Sequence, residues 1–281
     1  MQLSIAIVNW NTTCLLSKLV RSIQTYAPSF EYEIIVVDNA SGDFDGQAFG
    51  AEFPDVRVIA NPDNAGYARG NNQAFEVATG DWVLLLNPDT RVTEGALEAL
   101  VRFMESHPDA GAAGGRLVKP DGSIERSARS FPYPGPIAWE YLGLSRLFPR
   151  SPLFGAYRMT RFAYDSVAEV DQPMGSCLII SRKALDEVGP FDEQFPIFFN
   201  EVDWLFRANQ KGYSTYFTPE AVVIHEGGAG TKQAGRRRMI RESHDSLLRF
   251  YRKHFRRRLF LPVYGLAVAC IVIGKYLRSG I

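Results

Sequence analysis

The residues best suited to chemistry stand after an apolar run in "VLLLNPDT" (83–90). Asp89 follows four apolar residues, and Pro88 stops that strand from continuing its hydrogen-bond ladder. A carboxylate at such a strand end, with the Asn87 amide two residues earlier, suits a hard divalent cation such as Mg²⁺ or Mn²⁺, which would also bridge a diphosphate. A helix-capping turn is the alternative interpretation.

A histidine closes a second apolar run, "AVVIH" (221–225), just before the glycine-rich "EGGAG" (226–230). If both runs are strands that end at one edge of a sheet, His225 would join Asp89 as a metal ligand. The neighbouring glycines would leave its ring room to face the site. The alternative is a structural histidine that is satisfied within the fold.

Two acidic residues lie near a helix start in "FFNEVDWLFRANQKGY" (198–213). Positions two apart on a helix point about 200° from each other, so Glu201 and Asp203 cannot both face one cleft. One is a candidate general base and the other a structural partner, and the spacing does not choose between them. Complementing the helix dipole is the alternative role for both.

Polar residues also follow the earlier apolar runs: Asn9 after 3–8, Asp38 after 33–37, and "NPDNAGYARGNN" at 61–72. Asp38 could accept a hydrogen bond from a pyrimidine imide N–H or from a ribose hydroxyl. The 61–72 turn could bring backbone amides near phosphate. It lacks both the G-x-G-x-x-G spacing and the P-loop lysine, which argues against dinucleotide oxidoreduction and ATP hydrolysis.

The elements that must position these residues alternate between strand and helix. Continuous runs of Val, Ile and Leu predict strands that are covered on both faces of a mostly parallel sheet, whose ligands bind outside the carboxyl ends of the strands. The proline- and aromatic-rich stretch 131–157 breaks this rhythm, either as a packed insertion or as a wall of an acceptor site or membrane-facing lip. The predicted strands are 3–8, 33–37, 56–60, 82–86, 110–118, 175–181 and 221–225, and the predicted helices are 13–26, 67–78, 94–106, Arg182 to Gly189 and 200–211.

Taken together, these motifs resemble glycosyltransferase family 2, and within it the bacterial rhamnosyltransferase-like branch. The resemblance implies an α/β chain with the GT-A nucleotide-diphospho-sugar transferase fold: a mostly parallel central sheet flanked by helices. It implies a glycosyltransferase domain over 1–231, in which 1–118 binds the nucleotide sugar and 119–231 carries the acceptor and catalytic half. The matching motifs are "SIAIVNWN", "IIVVDNASGD", "NAGYARGNNQAF", "LLLNPDT", "GSCLIISR", "GPFDEQFPIFFNEVDWLFRANQKGY" and "AVVIHEGGAG".

The resemblance also implies roles for individual residues. Asp89 takes the place of the last carboxylate of the family's DxD metal motif, with Asn87 at its first position and His225 as the second metal ligand. Glu201 falls where the family places its catalytic Asp, and Asp203 matches a second acidic, supporting position. Asp38 would contact the base of the donor. The remaining predicted nucleotide-pocket residues are Asn9, Asn64, Gly66, Arg69 and Asn72.

The formal net charge of zero conceals a basic tail, since residues 232–281 hold 13 of the 31 Lys and Arg but only two of the 31 Asp and Glu. A basic amphipathic helix (236–258) leads into the uncharged run 259–274, which is short for a bilayer span and contains Pro262 and Gly265. We therefore expect 232–281 to be a membrane-associating region, peripheral or shallowly inserted. A core or dimer-packing helix is the alternative, and the acidic body argues against nucleic acid.

Three widely spaced cysteines and an amino terminus without a basic region before its apolar run predict a location on the cytoplasmic side of the cell membrane. The 46% hydrophobic content argues against disorder.

The predicted function is an inverting transfer of a sugar, rhamnose being one candidate, from a nucleotide-diphosphate donor to a glycan or polyprenyl-linked acceptor in cell-surface polysaccharide synthesis. Mg²⁺ or Mn²⁺ is the expected cofactor, and a homo-oligomer is a further expectation. The alternatives are a nucleotidyltransferase with the same fold and a non-catalytic nucleotide-sugar binder or membrane scaffold.

Overall fold

The computed structural model of the chain describes residues 2–228 and 235–279, and within these ranges nine strands form one sheet. Their order across the sheet is β3-β2-β1-β4-β8-β6-β9-β5, and β7 also pairs with β9. The strands are β1 (Leu3–Asn9), β2 (Tyr32–Asp38), β3 (Val56–Ala60), β4 (Trp82–Leu86), β5 (Thr90–Val92), β6 (Ala110–Val118), β7 (Ala168–Glu169), β8 (Cys177–Ser181) and β9 (Ser214–His225).

Ten helices in the described residues cover the sheet. They are α1 (Thr13–Thr25), α2 (Gly46–Glu52), α3 (Tyr67–Val77), α4 (Ala96–Ser106), α5 (Pro134–Tyr141), α6 (Leu144–Leu147), α7 (Arg182–Val188), α8 (Asn200–Gln210), α9 (Arg236–His254) and α10 (Leu261–Ser279).

The parallel part of the sheet consists of β1 to β4, and both of its faces are buried. Along β1, Ile5 and Ile7 pack into the core beneath α1 and α4, whereas Ala6 and Val8 pack into the core beneath α3 and α8. This burial on two sides explains the unbroken apolar runs. The register places Asn9 directly opposite Asp38, so the polar residues that end β1 and β2 meet at one edge.

The second half of the sheet is mixed, because β8 runs antiparallel to both of its neighbours, β4 and β6. Parallel pairing is therefore confined to β1 to β4 and to the pair β6–β9, and β8 joins these two parts by antiparallel pairing. The elements β5, β7 and α2 were not predicted from the sequence, and β9 begins at Ser214, earlier than the predicted 221. Pro219 and Glu220 interrupt its apolar pattern at an irregularity in the pairing with β6.

The stretch 131–157 contains the short helices α5 and α6 and packs against α10. Tyr141 of α5 lies against Gly274 of α10, where an added Cβ would collide with the tyrosine ring. The guanidinium of Arg278 lies over the same ring, 4.7 Å from its centroid. The insertion and α10 therefore form one continuous surface of the molecule.

The C-terminal region begins with the predicted amphipathic helix α9, whose apolar face belongs to the main core: Phe250 and Tyr251 are fully buried. Helix α10 is long and apolar enough to cross a membrane by length and composition, and 17% of its most apolar window is buried. Pro262 lies in its first turn, where the missing N–H has no intrahelical partner to lose. The predicted domain boundary at 231/232 lies outside the described residues.

Candidate active site

The turn after β4 places Asp89 and His225 side by side. Pro88 ends β4, and the Asn87 N–H donates to the Ser176 carbonyl at 3.2 Å. The chain then re-enters the sheet as β5, in which Thr90 is the register partner of His225 on β9. As a result, Asp89 Oδ1 lies 3.4 Å from His225 Nε2, and both side chains are buried. The predicted proximity of these two residues is confirmed.

His225 is held by a second carboxylate that was not predicted from the sequence. Its Nδ1–H donates to Glu125 Oε2 at 2.7 Å, and its Nε2 lies 3.4 Å from Ser176 Oγ as well as facing Asp89. Burial favours the neutral ring, but the hydrogen bonds and charges of Asp89 and Glu125 outweigh it and raise the pKa of His225 to about 9. A divalent cation at Asp89 would compete with the proton on Nε2.

The chemistry of these side chains fits a metal that is shared with a substrate. Asn87 Oδ1 is buried and has no hydrogen-bond partner among the described residues, while its Nδ2 donates to Ser176 Oγ at 3.0 Å. This orphaned oxygen is of the type that Mg²⁺ and Mn²⁺ accept. Across residues 2–228 and 235–279, no group of three His, Cys, Asp or Glu could hold a metal by itself. Substrate oxygens would have to complete the coordination sphere.

Glu201 lies on the other side of the Gly175–Ser176 segment. Phe199 adopts φ 70° at the start of α8, and Glu201 occupies the first turn of that helix. Its side chain packs on Gly175, where an added Cβ would be 3.4 Å from Glu201 Cγ. Ser176, the next residue, contacts both Asn87 and His225. A single dipeptide therefore separates the candidate base from the candidate metal ligands.

Tyr67 contacts the same Gly175–Ser176 segment. Its hydroxyl donates to the Gly175 carbonyl at 3.5 Å. Burial, together with the carboxylates of Glu201 and Asp89, raises the pKa of Tyr67, so the phenol stays protonated and lies within the field of both acids. Neither Tyr67 nor the 175–176 segment was singled out from the sequence, where they read as part of a turn and the start of a strand.

The environment of Glu201 suits proton transfer. Burial raises its pKa to about 7, and the backbone N–H groups of Glu201 and Val202 at the helix start offset only part of that effect. A carboxyl group with a pKa near neutrality is matched to the task of a general base at physiological pH.

Asp203 points to the opposite side of α8, and its prediction as a catalytic residue is corrected here. Its fully buried carboxylate accepts from Arg207 Nε at 2.8 Å, His254 Nε2 at 2.7 Å and Lys253 Nζ at 2.7 Å. Burial favours the neutral acid, but these donors prevail and lower the pKa of Asp203. These contacts join α9 to α8. Because side chains two positions apart on a helix point about 200° from each other, Asp203 faces α9 while Glu201 faces the other way.

Asn9 and Asp38 form a buried network at the ends of β1 and β2. Asn9 Nδ2 donates to Asp38 Oδ1 at 2.7 Å, and Thr12 Oγ1 donates to Asn9 Oδ1 at 2.7 Å. Both oxygens of Asp38 also accept from Ser41, from its N–H at 2.9 Å and from its hydroxyl at 2.6 Å. These bonds set the shape of the loop after β2. Direct contact of Asp38 with a nucleotide base stays a prediction.

The turn before α3 is fixed by contacts with the 191–196 loop. Gly66 has φ 87°, and an added Cβ would be 2.9 Å from the Pro196 carbonyl oxygen. The amide of Asn72 exchanges hydrogen bonds with the Phe191 backbone, so this predicted pocket residue positions the loop in the structure. Asn64 and Arg69 are exposed near the start of α3, and Asn64 Oδ1 accepts from the Gly66 N–H.

The fold is shared by solved structures over nearly the whole chain. The mannosyltransferase PcManGT from Pyrobaculum calidifontis, in complex with GDP-Man and Mn²⁺, superposes with a TM-score of 0.64 at 17% identity, covering 97% of this chain and 73% of that one. S. aureus TarS 1–349 gives 0.56 at 15% identity, covering 99% and 72%. At such identities the likeness concerns the fold alone: it is the GT-A fold of nucleotide-diphospho-sugar transferases.

The family follows from the sequence comparison. The chain belongs to glycosyl transferase family 2, whose model matches residues 4–189, and it is a glycosyltransferase. The N-acetylglucosaminyl-diphospho-decaprenol L-rhamnosyltransferase of Mycobacterium tuberculosis is 32% identical over 211 residues, 70% of this chain and 67% of the relative. The O-antigen biosynthesis protein RfbC of Myxococcus xanthus is 27% identical over 78% of this chain, which spans 17% of that protein. The predicted family is confirmed.

Proposed function

We propose that the protein is an inverting, metal-dependent glycosyltransferase that moves a sugar from a nucleotide-diphosphate donor to a hydroxyl of a lipid-linked glycan. The observation that carries this proposal is a chain of contacts: Glu201, with a pKa near 7, packs on Gly175, and the next residue, Ser176, contacts both Asn87 and His225, the latter beside Asp89. These contacts support the assignment of a base and a set of metal ligands at the carboxyl edge of the sheet, where such folds bind their ligands.

In the proposed reaction, Glu201 accepts the proton of the acceptor hydroxyl while the hydroxyl oxygen bonds to the anomeric carbon. The bond from that carbon to the nucleoside diphosphate breaks in the same displacement. Asp89, with Asn87 and His225, would hold Mg²⁺ or Mn²⁺, which supplies charge neutralisation to the leaving diphosphate. Tyr67, kept protonated by its surroundings, donates to the Gly175 carbonyl and keeps that segment between base and ligands.

The named activities of the relatives narrow the substrates. The mycobacterial relative is named for transfer of L-rhamnose to N-acetylglucosaminyl-diphospho-decaprenol, so we propose rhamnose as the first donor sugar to test and a polyprenyl-diphosphate-linked saccharide as the acceptor. Cell-surface polysaccharide synthesis is the corresponding role.

A lipid-linked acceptor requires the enzyme to work at a membrane, and we propose that it does so on the cytoplasmic side; the surface supports the membrane location. Of the 15 exposed large hydrophobic residues in the described structure, four lie in 142–153 and seven in 260–277. These two segments adjoin through the packing of Tyr141 on Gly274. At the edge of this apolar face, Arg252, Arg256 and Arg257 share a basic cleft of about 430 Å³ with Lys253. An apolar face with a basic rim fits an anionic bilayer.

The central test is Glu201→Gln in a radiolabelled transfer assay with a polyprenyl-diphosphate-linked acceptor. Loss of a general base should lower kcat by about 10²-fold or more. Donor binding, measured by calorimetry with nucleotide and Mn²⁺, should remain. The exposed Glu76→Gln on α3 is the matched control and should keep full activity.

Other outcomes would assign a different function. Unchanged turnover in Glu201→Gln would remove Glu201 from its role. Donor binding by the wild type without transfer to any acceptor would indicate a binder or scaffold. Transfer of the nucleotidyl group in place of the sugar would identify a nucleotidyltransferase.

A further inference from the structure

The basic cleft at the end of α9 has the charge and the room to bind an anion. It has a volume of about 430 Å³ and is lined by Arg252, Lys253, Arg256 and Arg257. Lys253 is already bound, since its Nζ lies 2.6 Å and 2.7 Å from two carboxylates. The three arginines are exposed, and within residues 2–228 and 235–279 none of them has an ion-pair partner. Three positive charges are therefore available to an external anion.

The chemistry of the lining favours a phosphate group. A guanidinium is planar and donates two parallel hydrogen bonds to phosphate oxygens, whereas an ammonium group acts as a point charge. The volume of the cleft also falls in the range of about 300–1,000 Å³ that is usual for small-ligand sites. A phosphate together with part of its ester substituent is the expected ligand.

Exposed apolar side chains begin directly after the cleft. Phe260 and Leu261 are 75% and 73% exposed, and Phe260 follows Arg257 within about 11 Å of fully extended chain. On α10 the exposed apolar side chains lie within an arc of about 140°, at about 100° per residue, and form one stripe along the helix, the α10 stripe. A phosphate site that adjoins such a stripe matches a phospholipid, whose charged headgroup adjoins its acyl chains. The members of the α10 stripe are Val263, Leu266, Ile273, Tyr276 and Leu277.

Another face of α10 is attached to the protein. Ile271 is fully buried, and Gly274 lies against the Tyr141 ring. Nearer the carboxyl end, Lys275 Nζ lies 2.6 Å from Asp245 Oδ1 on α9. The two buried positions are centred about 120° around the helix from the centre of the α10 stripe. The helix therefore packs on α9 and on the insertion without covering the stripe.

These attachments decide how α10 meets a bilayer. With its 19 residues α10 is about 28 Å long, close to the hydrocarbon thickness of about 30 Å. To cross the bilayer it would have to leave α9, because α9 carries nine Lys, Arg, Asp and Glu side chains that are costly in hydrocarbon. Departure would break the Lys275–Asp245 ion pair and expose Ile271. With the contacts retained, α10 lies parallel to the bilayer surface and turns its stripe toward the acyl chains.

We propose that the cleft binds the headgroup phosphate of an anionic phospholipid, while the α10 stripe lies lengthwise among the acyl chains of the same leaflet. The bound headgroup then fixes the start of α10 at the membrane surface. This inference rests on the membrane location in the proposed function, and it assigns to that location a defined lipid site and a helix orientation.

The first experiment removes the three arginines together, as Arg252→Gln/Arg256→Gln/Arg257→Gln. Binding of the full chain is measured by co-sedimentation with phosphatidylcholine vesicles, with and without phosphatidylglycerol, at about 0.1 M salt. A cation near an anionic membrane is worth about five-fold in affinity, so this variant should bind the phosphatidylglycerol vesicles roughly 100-fold more weakly than the wild type. On vesicles of phosphatidylcholine alone, the variant and the wild type should bind equally.

The matched control is Arg236→Gln/Arg237→Gln/Arg238→Gln, which removes the same charge from exposed residues at the start of α9. Arg238 lies about 21 Å along the helix from Arg252, about twice the Debye length at this salt concentration. Because of this screening, the control should bind the phosphatidylglycerol vesicles within about three-fold of the wild type. Equal losses in the two triple variants would show attraction by net charge alone and would overturn the cleft site.

The second experiment measures the depth of α10 in the bilayer. A fluorophore is attached to Leu266→Cys or to Leu277→Cys in a Cys14→Ser/Cys270→Ser background, and quenching by spin-labelled lipids gives its depth. Cys177 stays unlabelled, because burial raises its pKa to about 12. A lengthwise helix should place both fluorophores at the same depth, whereas a spanning helix would separate them by about 16 Å.

Other results would overturn the proposal. A depth difference of about 16 Å would show that α10 spans the bilayer. Inorganic phosphate that binds the wild type in calorimetry as tightly as the vesicles do would identify a site for free anions. A wild type without preference for phosphatidylglycerol would exclude an anionic lipid from the cleft. Selective lipid binding through the cleft in a protein that transfers no sugar would uphold this inference while the proposed sugar transfer fails.

Discussion

Glu201 is a carboxyl group whose surroundings resist its ionisation, so the role proposed for it implies a definite pH dependence of activity. In the proposed mechanism its reactive form is the carboxylate, and burial raises its pKa to about 7. We therefore expect kcat to rise with pH through about 7 and then to level off. Initial rates with saturating substrates between pH 5.5 and 8.5 measure this rise of kcat with pH. A profile already flat at pH 5.5 would exclude Glu201 as the titrating base.

Glu125 accepts a hydrogen bond from His225 Nδ1, so the proposed metal site predicts that its loss weakens metal binding. Groups that orient a metal-binding histidine are typically worth 10- to 100-fold in metal affinity. We expect Glu125→Gln to weaken Mn²⁺ binding by about that factor, measured by titration in the presence of a nucleoside diphosphate. The exposed Glu94→Gln is a suitable comparison and should bind as wild type. Equal Mn²⁺ affinity in both variants would contradict the proposal that His225 is a metal ligand.

At this scale the sequence predicted some roles and could not predict others. The expectation that polar residues at the ends of buried strands meet at one edge of the sheet correctly brought Asp89 and His225 together, because β4 and β9 are both buried and end at that edge. Helical geometry established that Glu201 and Asp203 face opposite ways. It could not say which faced the cleft, because that depends on α9, whose donors to Asp203 lie about fifty residues later. Glu125 follows no motif, and only the path of its loop brings it to His225.

The contact between α8 and α9 depends on one buried carboxylate. Replacing Asp203 by Asn removes the charge that Arg207, Lys253 and His254 share. Breaking such a buried pair typically costs about 3 kcal/mol. We expect Asp203→Asn to lower the free energy of unfolding by that amount in urea denaturation, while the exposed Asp186→Asn on α7 leaves it unchanged.

The sign of the pH dependence of stability also follows from this site. The pKa of Asp203 is lowered in the folded state, so its contribution is complete above its ordinary value of 3.8 and is lost as the pH falls below it. The difference in stability between wild type and Asp203→Asn should therefore narrow in acid. Catalysis per folded molecule at neutral pH should remain close to wild type, and a large loss of kcat with unchanged stability would restore Asp203 to the active site.

Among the elements, long periodic or continuous apolar segments were predicted well. The strands β1 to β4 and β6 and the helices α1, α3, α4, α7 and α8 lie within about two residues of their predicted bounds. The elements missed were short or interrupted. The three residues of β5 and two of β7 are defined by their pairing with β9 and not by their own pattern. Helix α2 begins at Gly46 with the Asp45 side chain as its cap, in a stretch too short to show a period.

At the scale of the whole molecule, the proposed membrane face, made of the exposed apolar residues in 142–153 and 260–277, can be tested directly. We expect the wild type to sediment with vesicles that contain anionic lipid and to bind neutral vesicles more weakly. The double variant Leu266→Glu/Leu277→Glu should lose this binding, because charged residues on an interfacial apolar face oppose insertion. Leu147→Glu/Phe148→Glu should weaken it as well, since the insertion shares the face.

The comparison variant for this test is Ile124→Glu/Val167→Glu, which alters two exposed aliphatic residues outside the face. It should bind vesicles as wild type. If only the α10 variant is impaired and the protein resists extraction by alkaline carbonate, α10 spans the bilayer. If the wild type does not bind vesicles but forms dimers, and Leu266→Glu/Leu277→Glu is monomeric, the apolar face is a dimer interface instead.

The position of β8 also bears on how the protein is made. It lies hydrogen-bonded between β4 and β6, yet residues 87–176 separate it in sequence from β4. During synthesis the first four strands therefore emerge with an apolar edge that has no neighbour until the second half has left the ribosome. Such an edge is a site of misassembly, so the nascent chain should depend on chaperones, and a product truncated after residue 118 should aggregate instead of forming a free-standing nucleotide-binding domain.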